Sequence, residues 1–297
     1  MNKQTETIEL PKTTMPNLSA LKAYEERNSF ALVAVRMEEE TDKIIITIPD
    51  DPLVAINKED RRVMEFTRNN FYRAAAGGLL IILEKKDGEK IATTILRDNK
   101  APTYPNHLTS CTGLSACFEE VLNPELVTVR EGLEELVFKI SGTRIVLPVF
   151  DDSMSEINIR AIIKDGASLR PATEECPLVE CQASIFELPG QKTTEVYWKG
   201  KLRSKFSSII VIDEGVNGID CLGAIKIKVP IDDWNELEIF DGEVIGGRNL
   251  LNRDIYAYDF YGNIILGWKS GKIFTPQKKT SFPQTPVLRE VMKVLIN

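Results

Sequence analysis

Histidine is almost absent from this chain, and its scarcity excludes several kinds of catalytic site. His107 is the only histidine in 297 residues. Zinc sites of the HExxH type need two histidines on one helix and are therefore excluded. A Ser-His-Asp or Cys-His site would have to use His107, and the sequence contains no GxSxG turn. We expect His107, in the segment YPNHLTSCTG, to bond to backbone or touch a ligand rather than act as a general base.

Paired cysteines, an excess of basic residues and long apolar runs are also lacking. The five cysteines include no CxxC pair, so neither a disulfide framework nor a zinc knuckle is indicated. The net charge of −7 makes nucleic acid an unlikely partner, because nucleic-acid binding needs a basic surface. A small anionic ligand is compatible with this charge if a divalent cation bridges the two. No apolar run is long enough to span a bilayer, and residues 1–29 lack the apolar segment of a signal peptide. We therefore expect a cytoplasmic protein without a membrane partner.

The composition is that of an ordinary globular protein. Hydrophobic residues make up 43% and charged residues 27% of the chain, which argues against wholesale disorder. Residues 1–28 are polar and contain two prolines, so we expect part of this segment to be disordered. Nothing like a linker divides the remainder. We therefore expect residues 29–297 to form a single domain.

Local patterns predict many strands and few helices. Strands are predicted at 30–37, 43–48, 79–84 and 90–97, in a strand pair around residues 141–142, and as short runs over 157–274. The Asp-Gly pair in KKDGEK predicts a hairpin between 79–84 and 90–97. Helices are predicted at 57–75, at 285–296 and from Pro124 to about Val137. This pattern indicates an α/β or α+β fold whose helices cover a strand-rich sheet.

The segment TVREGLEELVF, residues 128–138, concentrates acidic side chains on one helical face. At about 100° per residue, Glu131, Glu134 and Glu135 fall within a sector of about 100°. Carboxylates this close repel one another unless a cation lies among them, and Arg130 can offset only part of the repulsion. Mg²⁺ and Mn²⁺ prefer such oxygen ligands. A solvated helix face and a metal site built on a helix both explain this segment.

Together with the residues before it, this segment resembles the signature of the Nudix hydrolases. That signature runs G-x5-E, a spacer, and R-E-U-x-E-E-x-G-U, where U is aliphatic. Gly113 and Glu119 match the first part, and the second part is matched by Arg130, Glu131, Glu134 and Glu135. The spacer here has ten residues instead of seven. Gly132 stands at an aliphatic position and Val137 at the final glycine.

The resemblance implies a fold, a cofactor and a reaction. The fold would be a Nudix-like α/β/α sandwich with a mixed sheet, enlarged by additional β-strands, with its motif core at residues 75–150. The cofactor would be Mg²⁺ or Mn²⁺, bound by Glu131, Glu134, Glu135 and Glu119, with Glu120 as an alternative to Glu119. The reaction would be hydrolysis of a pyrophosphate bond in a nucleoside diphosphate linked to another group. Glu134, Glu131 and Arg130 would be the catalytic residues.

Residues outside this segment supply further candidates. Arg97, Tyr104, Asn106 and Gly113 are candidate substrate-binding residues, since they lie just before or within the motif, and Lys100 lies in the same stretch. The family often takes another carboxylate from a later loop, and Asp241 or Glu243 in the acidic stretch 231–247 could serve. Solvated turn residues are the alternative explanation of that stretch, and we favour it. For Trp198, Trp234 and Trp268 we expect buried packing rather than stacking on a nucleobase.

Three functions are compatible with the sequence. The leading hypothesis is the metal-dependent pyrophosphohydrolase, with a small nucleoside diphosphate derivative as its partner. The second is a catalytically silent Nudix-like module that binds a nucleotide or a protein. The third is a strand-rich interaction protein with an ordinary charged helix. A homodimer is the default assembly for a soluble enzyme.

Overall fold

The computed structural model of the chain describes most of the residues after the N-terminal segment. The described residues are 32–50, 54–55, 71–99, 101, 104–115, 118–140, 144–150, 178–213, 218–241, 253–277 and 280–296. The polar segment 1–28, most of the helix predicted at 57–75 and the strand runs predicted between 157 and 177 lie outside them.

Strands dominate the described part of the chain. In chain order they are β1 (Leu32–Glu39), β2 (Lys43–Ile48), β3 (Val54–Ala55), β4 (Phe71–Glu84), β5 (Lys90–Leu96), β6 (Leu108–Thr109), β7 (Cys111–Leu114), β8 (Leu136–Ile140), β9 (Arg144–Phe150), β10 (Leu178–Ile185), β11 (Lys192–Trp198), β12 (Lys201–Asp213), β13 (Gly218–Lys228), β14 (Leu237–Asp241), β15 (Ile255–Tyr258), β16 (Ile264–Lys269) and β17 (Lys272–Phe274). The α-helices are α1 (Phe118–Leu122), α2 (Pro124–Glu135) and α3 (Pro286–Ile296), and a 3₁₀ turn spans Trp234–Glu236. Among the described helices, none combines the length and the apolar character of a membrane span.

The long strands β4 and β13 pair in parallel at the centre of a mixed sheet. The first half of β4 pairs with β1, and the first half of β13 pairs with β12, both antiparallel. Strand β1 also pairs with β2, β2 pairs in parallel with β11, and β11 pairs with β12. The second halves of β4 and β13 join β5 and β10, which lead outward to β15, β16 and β17 on one side and to β9, β8 and β14 on the other. Between these halves, β7 pairs with the middle of β4.

Three apolar clusters form the core. One fills the half built on β1, β2 and β11, and helix α1 contributes Phe118 and Val121 to it. A second lies between the β4, β5 and β15 strands and the β8 and β14 strands, with Trp268 fully buried. The third lies under α3, where Val287, Leu288 and Val291 recur at helical spacing. Trp234 is also buried, as expected, while Trp198 is half-buried beside Phe118.

The expectation of a mixed, strand-rich sheet with few helices is confirmed, although α+β describes this architecture only loosely. The hairpin around Asp87 and Gly88 and the terminal helix are also confirmed. Helix α2 begins at Pro124 as predicted but ends at Glu135, because Leu136 already pairs with β14.

The end of the helix predicted at 57–75 is wrong, since Phe71 and the residues after it form the start of β4. Alanine favours helix locally, but here β4 pairs with β1 and β13. Tertiary pairing therefore overrides local propensity in this segment.

Candidate functional site

Helix α2 lies unusually close to the sheet, and glycines make this approach possible. A Cβ on Gly77 of β4 would lie 2.6 Å from the Cβ of Val127 and 2.7 Å from the backbone nitrogen of Thr128. On the helix side, a Cβ on Gly132 would overlap the Leu79 side chain. Gly132, which departs from the aliphatic residue of the Nudix signature, therefore allows the helix to contact β4 directly. This contact fixes the rotation of α2 about its axis, and therefore the direction of the helix face that carries the motif glutamates.

Glu131 occupies the space over Gly113. A Cβ on Gly113 would overlap both the carboxyl carbon and the carboxylate oxygens of Glu131. Gly113 pairs with Gly77 in the β4–β7 ladder, so two adjacent glycines open a recess beneath the helix. The half-buried Glu131 carboxylate fills part of this recess instead of extending into solvent.

Glu135, the last residue of α2, is held by two donors. Its Oε2 accepts a hydrogen bond of 3.0 Å from the backbone N–H of Thr112, and its Oε1 accepts one of 3.1 Å from Nη1 of Arg253. Only 6% of Glu135 is exposed. The two bonds engage both oxygens of the Glu135 carboxylate.

Arg253 connects Glu135 with a second buried carboxylate. Its Nε and Nη2 donate to Oδ2 and Oδ1 of Asp241 at 2.7 and 2.9 Å, and its backbone N–H donates to Oδ2 at 3.1 Å. Asp241 is 1% exposed. The β8–β14 register pairs Leu136 with Asp241, which brings Asp241 beside the end of α2. The expectation that Asp241 is a solvated turn residue is therefore wrong.

Arg97 is close enough to these groups and to a second pair of carboxylates for their charges to affect its pKa. Burial lowers the pKa of the Arg97 guanidinium, and neighbouring Glu135 raises it again. Arg253 lowers the pKa further, while Asp213 and Asp220 raise it. An arginine keeps its charge despite such shifts, so Arg97 is a fixed cation among these carboxylates.

The Tyr104 loop forms another side of the site. The Tyr104 hydroxyl donates a 2.6 Å hydrogen bond to Oδ1 of Asp213. Burial, followed by Asp213, raises the pKa of Tyr104 to about 12. Tyr104 and Asn106 have φ values of 48° and 59°, which non-glycine residues seldom adopt. Strain of this kind concentrates at binding sites. His107 Nδ1 lies 2.9 Å from the carbonyl oxygen of Pro105, so its bond to backbone is confirmed.

Seven residues thus make up one charged cluster. We use that name for Glu131, Glu135, Asp213, Asp220, Asp241, Arg97 and Arg253. Among the described residues it contains five carboxylates and two guanidiniums, and Arg289 also acts on the neighbouring Tyr104. Cys111 is close enough to the cluster to be affected by its charges. Burial, followed by Glu135, raises the pKa of the Cys111 thiol well above its usual range. The thiol is therefore neutral at pH 7 and unsuited to nucleophilic attack.

Several predicted site residues have side chains outside the described part of the structure. The side chains of Glu119, Arg130 and Glu134 and all of Lys100 and Glu243 are outside the described part of the structure. Glu120 is buried, with 7% of its surface exposed.

The first part of the acidic stretch 231–247 has structural roles. Asp232 pairs with Lys86, and Asp233 and Glu236 cap the 3₁₀ turn. For these residues a turn role is confirmed.

The described side chains of the cluster do not by themselves form a metal site. Among the described side chains, no group of three or more histidine, cysteine, aspartate or glutamate residues converges on a common ion position. The Glu131 carboxylate fills the recess over Gly113, and carboxylate oxygens of this kind are the ligands that hard divalent cations prefer. The predicted ligands Glu119 and Glu134 would have to complete the coordination.

Sequence reasoning missed Arg253, Asp213 and Asp220. Asp213 ends the apolar run SSIIVID, and Asp220 interrupts the apolar strand GIDCLGAI. A charged residue inside or at the end of a buried strand is costly unless it has a partner, and that signal could have identified both aspartates. For Arg253 we find no comparable local signal.

Comparison of the chain with protein-family models, with curated proteins and with solved structures finds no match.

Proposed function

We propose that this protein is a divalent-metal-dependent hydrolase that cleaves a pyrophosphate bond in a nucleoside diphosphate linked to another group. Its mixed sheet would then be an enlarged Nudix-like α/β/α sandwich in a single domain, residues 29–297. The observation that carries the proposal is the position of Glu131 in the recess over Gly113, beside the buried Glu135. A glutamate on an ordinary solvated helix face would have no reason to occupy a recess that two paired glycines create.

Glu131, Glu134, Glu135 and Glu119 are the proposed ligands of Mg²⁺ or Mn²⁺. When bound, such an ion neutralises charge on the phosphate oxygens and makes bound water more acidic. The number of carboxylates among the described residues of the charged cluster supports a cation at this position. Thr112 and Arg253 hold the carboxylate of Glu135 in place. Arg130 is proposed to act beside Glu134.

Arg97, Tyr104, Asn106 and Gly113 are the proposed substrate-binding residues. A guanidinium matches the geometry of phosphate oxygens, so Arg97 would contact the diphosphate. Tyr104 and Asn106 lie in the strained loop that the hydrogen bond to Asp213 ties to β12. The absence of a side chain at Gly113 leaves the space that Glu131 uses.

The proposal is tested with a panel of nucleoside diphosphate derivatives and either Mg²⁺ or Mn²⁺. We expect metal-dependent turnover in the natural protein, reduced by orders of magnitude in Glu131→Gln and in Glu134→Gln while the circular dichroism spectrum is unchanged. Glu125→Gln is the matched control. It changes a glutamate of the same helix that lies outside the motif, and burial already raises the pKa of this carboxyl group. Full activity in Glu131→Gln and Glu134→Gln would remove the proposed catalytic roles.

The silent binding module is the second candidate, and one observation favours it. In the described structure the Glu135 carboxylate is engaged by protein donors, Thr112 and Arg253, which could satisfy it without an ion. Tight binding of a panel member without product formation would support this candidate. An unchanged melting temperature with either metal would instead favour the strand-rich interaction protein. A cytoplasmic location and a homodimer remain predictions of the same proposal.

A further inference from the structure

An open cavity lies at the opposite end of β5 from the charged cluster. Its volume is about 610 Å³, within the range of roughly 300–1,000 Å³ that small-molecule sites occupy. The β4–β5 turn and the β15–β16 turn form two of its sides. Lys90 lines the cavity at the start of β5, whereas Arg97 follows the end of that strand. At about 3.3 Å per strand residue, these two residues are roughly 20 Å apart, so the cavity is separate from the proposed hydrolytic site.

Three aromatic side chains line this cavity. Phe186 and Phe260 pack on the apolar cluster beneath α3, and their ring centroids are 6.1 Å apart with 65° between the ring planes. Rings at this angle do not stack face to face, so ring faces remain that neither phenylalanine covers. Tyr261 is 85% exposed and lines the same cavity, so a ligand can reach its ring. The faces of aromatic rings attract cations, and sites built from several rings bind quaternary ammonium groups.

Asp259 places a fixed negative charge beside these rings. Its Oδ1 accepts hydrogen bonds from the backbone N–H groups of Tyr261 and Asn263 at 2.9 and 2.8 Å. Its Oδ2 accepts one of 3.0 Å from the side-chain amide of Asn263. All three donors are neutral, and among the described residues no lysine or arginine pairs with Asp259. The carboxylate is therefore held in position while its charge is not balanced by a neighbouring cation.

The other charges at the cavity balance one another. Three lysines and three carboxylates around the β4–β5 turn form ion pairs: Lys85, Lys90, Lys226, Glu84, Asp87 and Glu89. Two of them, Glu89 and Lys90, line the cavity. Because this set is neutral as a whole, the net charge that a ligand meets comes mainly from Asp259, and a cationic ligand is favoured.

We propose that this cavity binds a small molecule that carries a quaternary ammonium group. Such a group has no N–H donors, so contacts with aromatic faces and a nearby carboxylate can replace its water without unsatisfied hydrogen bonds. The rings of Phe186, Phe260 and Tyr261 would contact its methyl groups, and Asp259 would balance its charge. A hard metal cation would instead need several oxygen ligands, for which aromatic walls are unsuited. The proposal goes beyond the proposed hydrolase activity and does not depend on it.

Choline and its neutral isostere, 3,3-dimethyl-1-butanol, test the proposal on the full chain. The two molecules have nearly the same shape, but only choline is charged. Titrations followed by NMR chemical shifts give both the affinity and the site. We expect choline to bind at least about fivefold more tightly than the isostere and to shift the backbone signals of Phe260 and Tyr261. Added salt should reduce this preference, because the charge of Asp259 lies near solvent.

Three substitutions at the cavity and one control identify the groups responsible. In Asp259→Asn and in Tyr261→Leu we expect choline to bind about two- to fivefold more weakly, the effect of one exposed ion pair or cation–π contact. Tyr261→Phe keeps the aromatic face and should retain the natural affinity. Asp42→Asn is the matched control, because Asp42 is an exposed turn aspartate between β1 and β2. It removes the same charge away from the cavity and should leave choline binding unchanged.

Several results would overturn the proposal. No choline binding to the natural protein, or equal affinity for choline and its isostere, would show that the cavity does not recognise this cation. Natural affinity in folded Asp259→Asn and Tyr261→Leu would show that choline binds elsewhere. A peptide with a trimethylated lysine that binds more tightly than choline would refute the assignment to a small molecule. Because Tyr261 is exposed, Tyr261→Leu should fold normally and keeps the test decisive even if Asp259→Asn does not fold.

Discussion

Replacing Gly113 with alanine adds one methyl group at the point where the Glu131 carboxylate lies. The methyl carbon would overlap the carboxyl carbon and oxygens of Glu131. Carbon atoms in contact prefer separations of about 3.5–4.0 Å, so the carboxylate has to move by at least about 1 Å. A misplacement of about 1 Å costs on the order of 100-fold in rate, which corresponds to about 2.7 kcal/mol of transition-state stabilisation.

The same substitution should hardly affect folding. The φ angle of Gly113 is not in the left-handed region, so alanine fits its backbone. Gly→Ala at such a position gains about 0.4–1 kcal/mol from the unfolded chain, and a strained Glu131 rotamer costs about 0.5–1.5 kcal/mol. We therefore expect the free energy of unfolding to change by less than about 1 kcal/mol.

The assay combines kcat/KM with Mg²⁺, Mn²⁺ affinity and urea denaturation. Gly223→Ala is the matched control, since a Cβ at Gly223 would meet only Thr128 Cγ2 at an ordinary 3.5 Å. We expect Gly113→Ala to lose about 100-fold in kcat/KM and Gly223→Ala to lose little. If Gly113→Ala kept full turnover and metal affinity, the position of Glu131 over Gly113 would not contribute to catalysis or metal binding.

Two further substitutions test the packing and the hydrogen bonding around the site. Gly132→Ala should lower the free energy of unfolding by about 1–3 kcal/mol in urea denaturation, because its Cβ would overlap the Leu79 side chain. This cost should exceed the gain of about 1 kcal/mol that alanine gives a helix. A stabilised variant would contradict the close approach of α2 to β4. Tyr104→Phe removes the donor to Asp213 and should cost about 1 kcal/mol at pH 7. Because the pKa of Tyr104 is raised from 10.0 to about 12 in the folded state, its contribution is complete below pH 10 and is lost as the pH rises towards 12. Denaturation measured across that range should show this loss in the natural protein but not in Tyr104→Phe, and parallel curves would refute the assignment.

Sequence patterns predicted well those elements whose signals are local. The apolar spacing of α3 and the Asp-Gly turn between β4 and β5 depend on a few neighbouring residues. The start of β4 could not be predicted in this way, because Phe71 and Tyr72 become strand only through pairing with β1.

At the candidate site, the acidic motif of α2 could be recognised in the sequence, but the residues that surround it in the fold could not. Leu237, Ile239 and Asp241 alternate along β14 and share its buried face, so the same period-two rule that identifies strands could have indicated that Asp241 is buried. Arg253 was not predictable, because its importance arises from the β8–β14 register, which brings Asp241 to the end of α2. Contacts between distant segments of the chain, rather than composition, decide which charged side chains lie next to one another.

The shared central pair of strands makes the two halves of the sheet interdependent. Because β4 and β13 are continuous through both halves, disrupting either half would remove a hydrogen-bonding partner from the strands that support the other. Helix α2 packs on the middle of β4 at Gly77, between these two halves. The glutamates of α2 therefore depend on a strand that both halves share, and a substitution far from them can displace them by loosening either half.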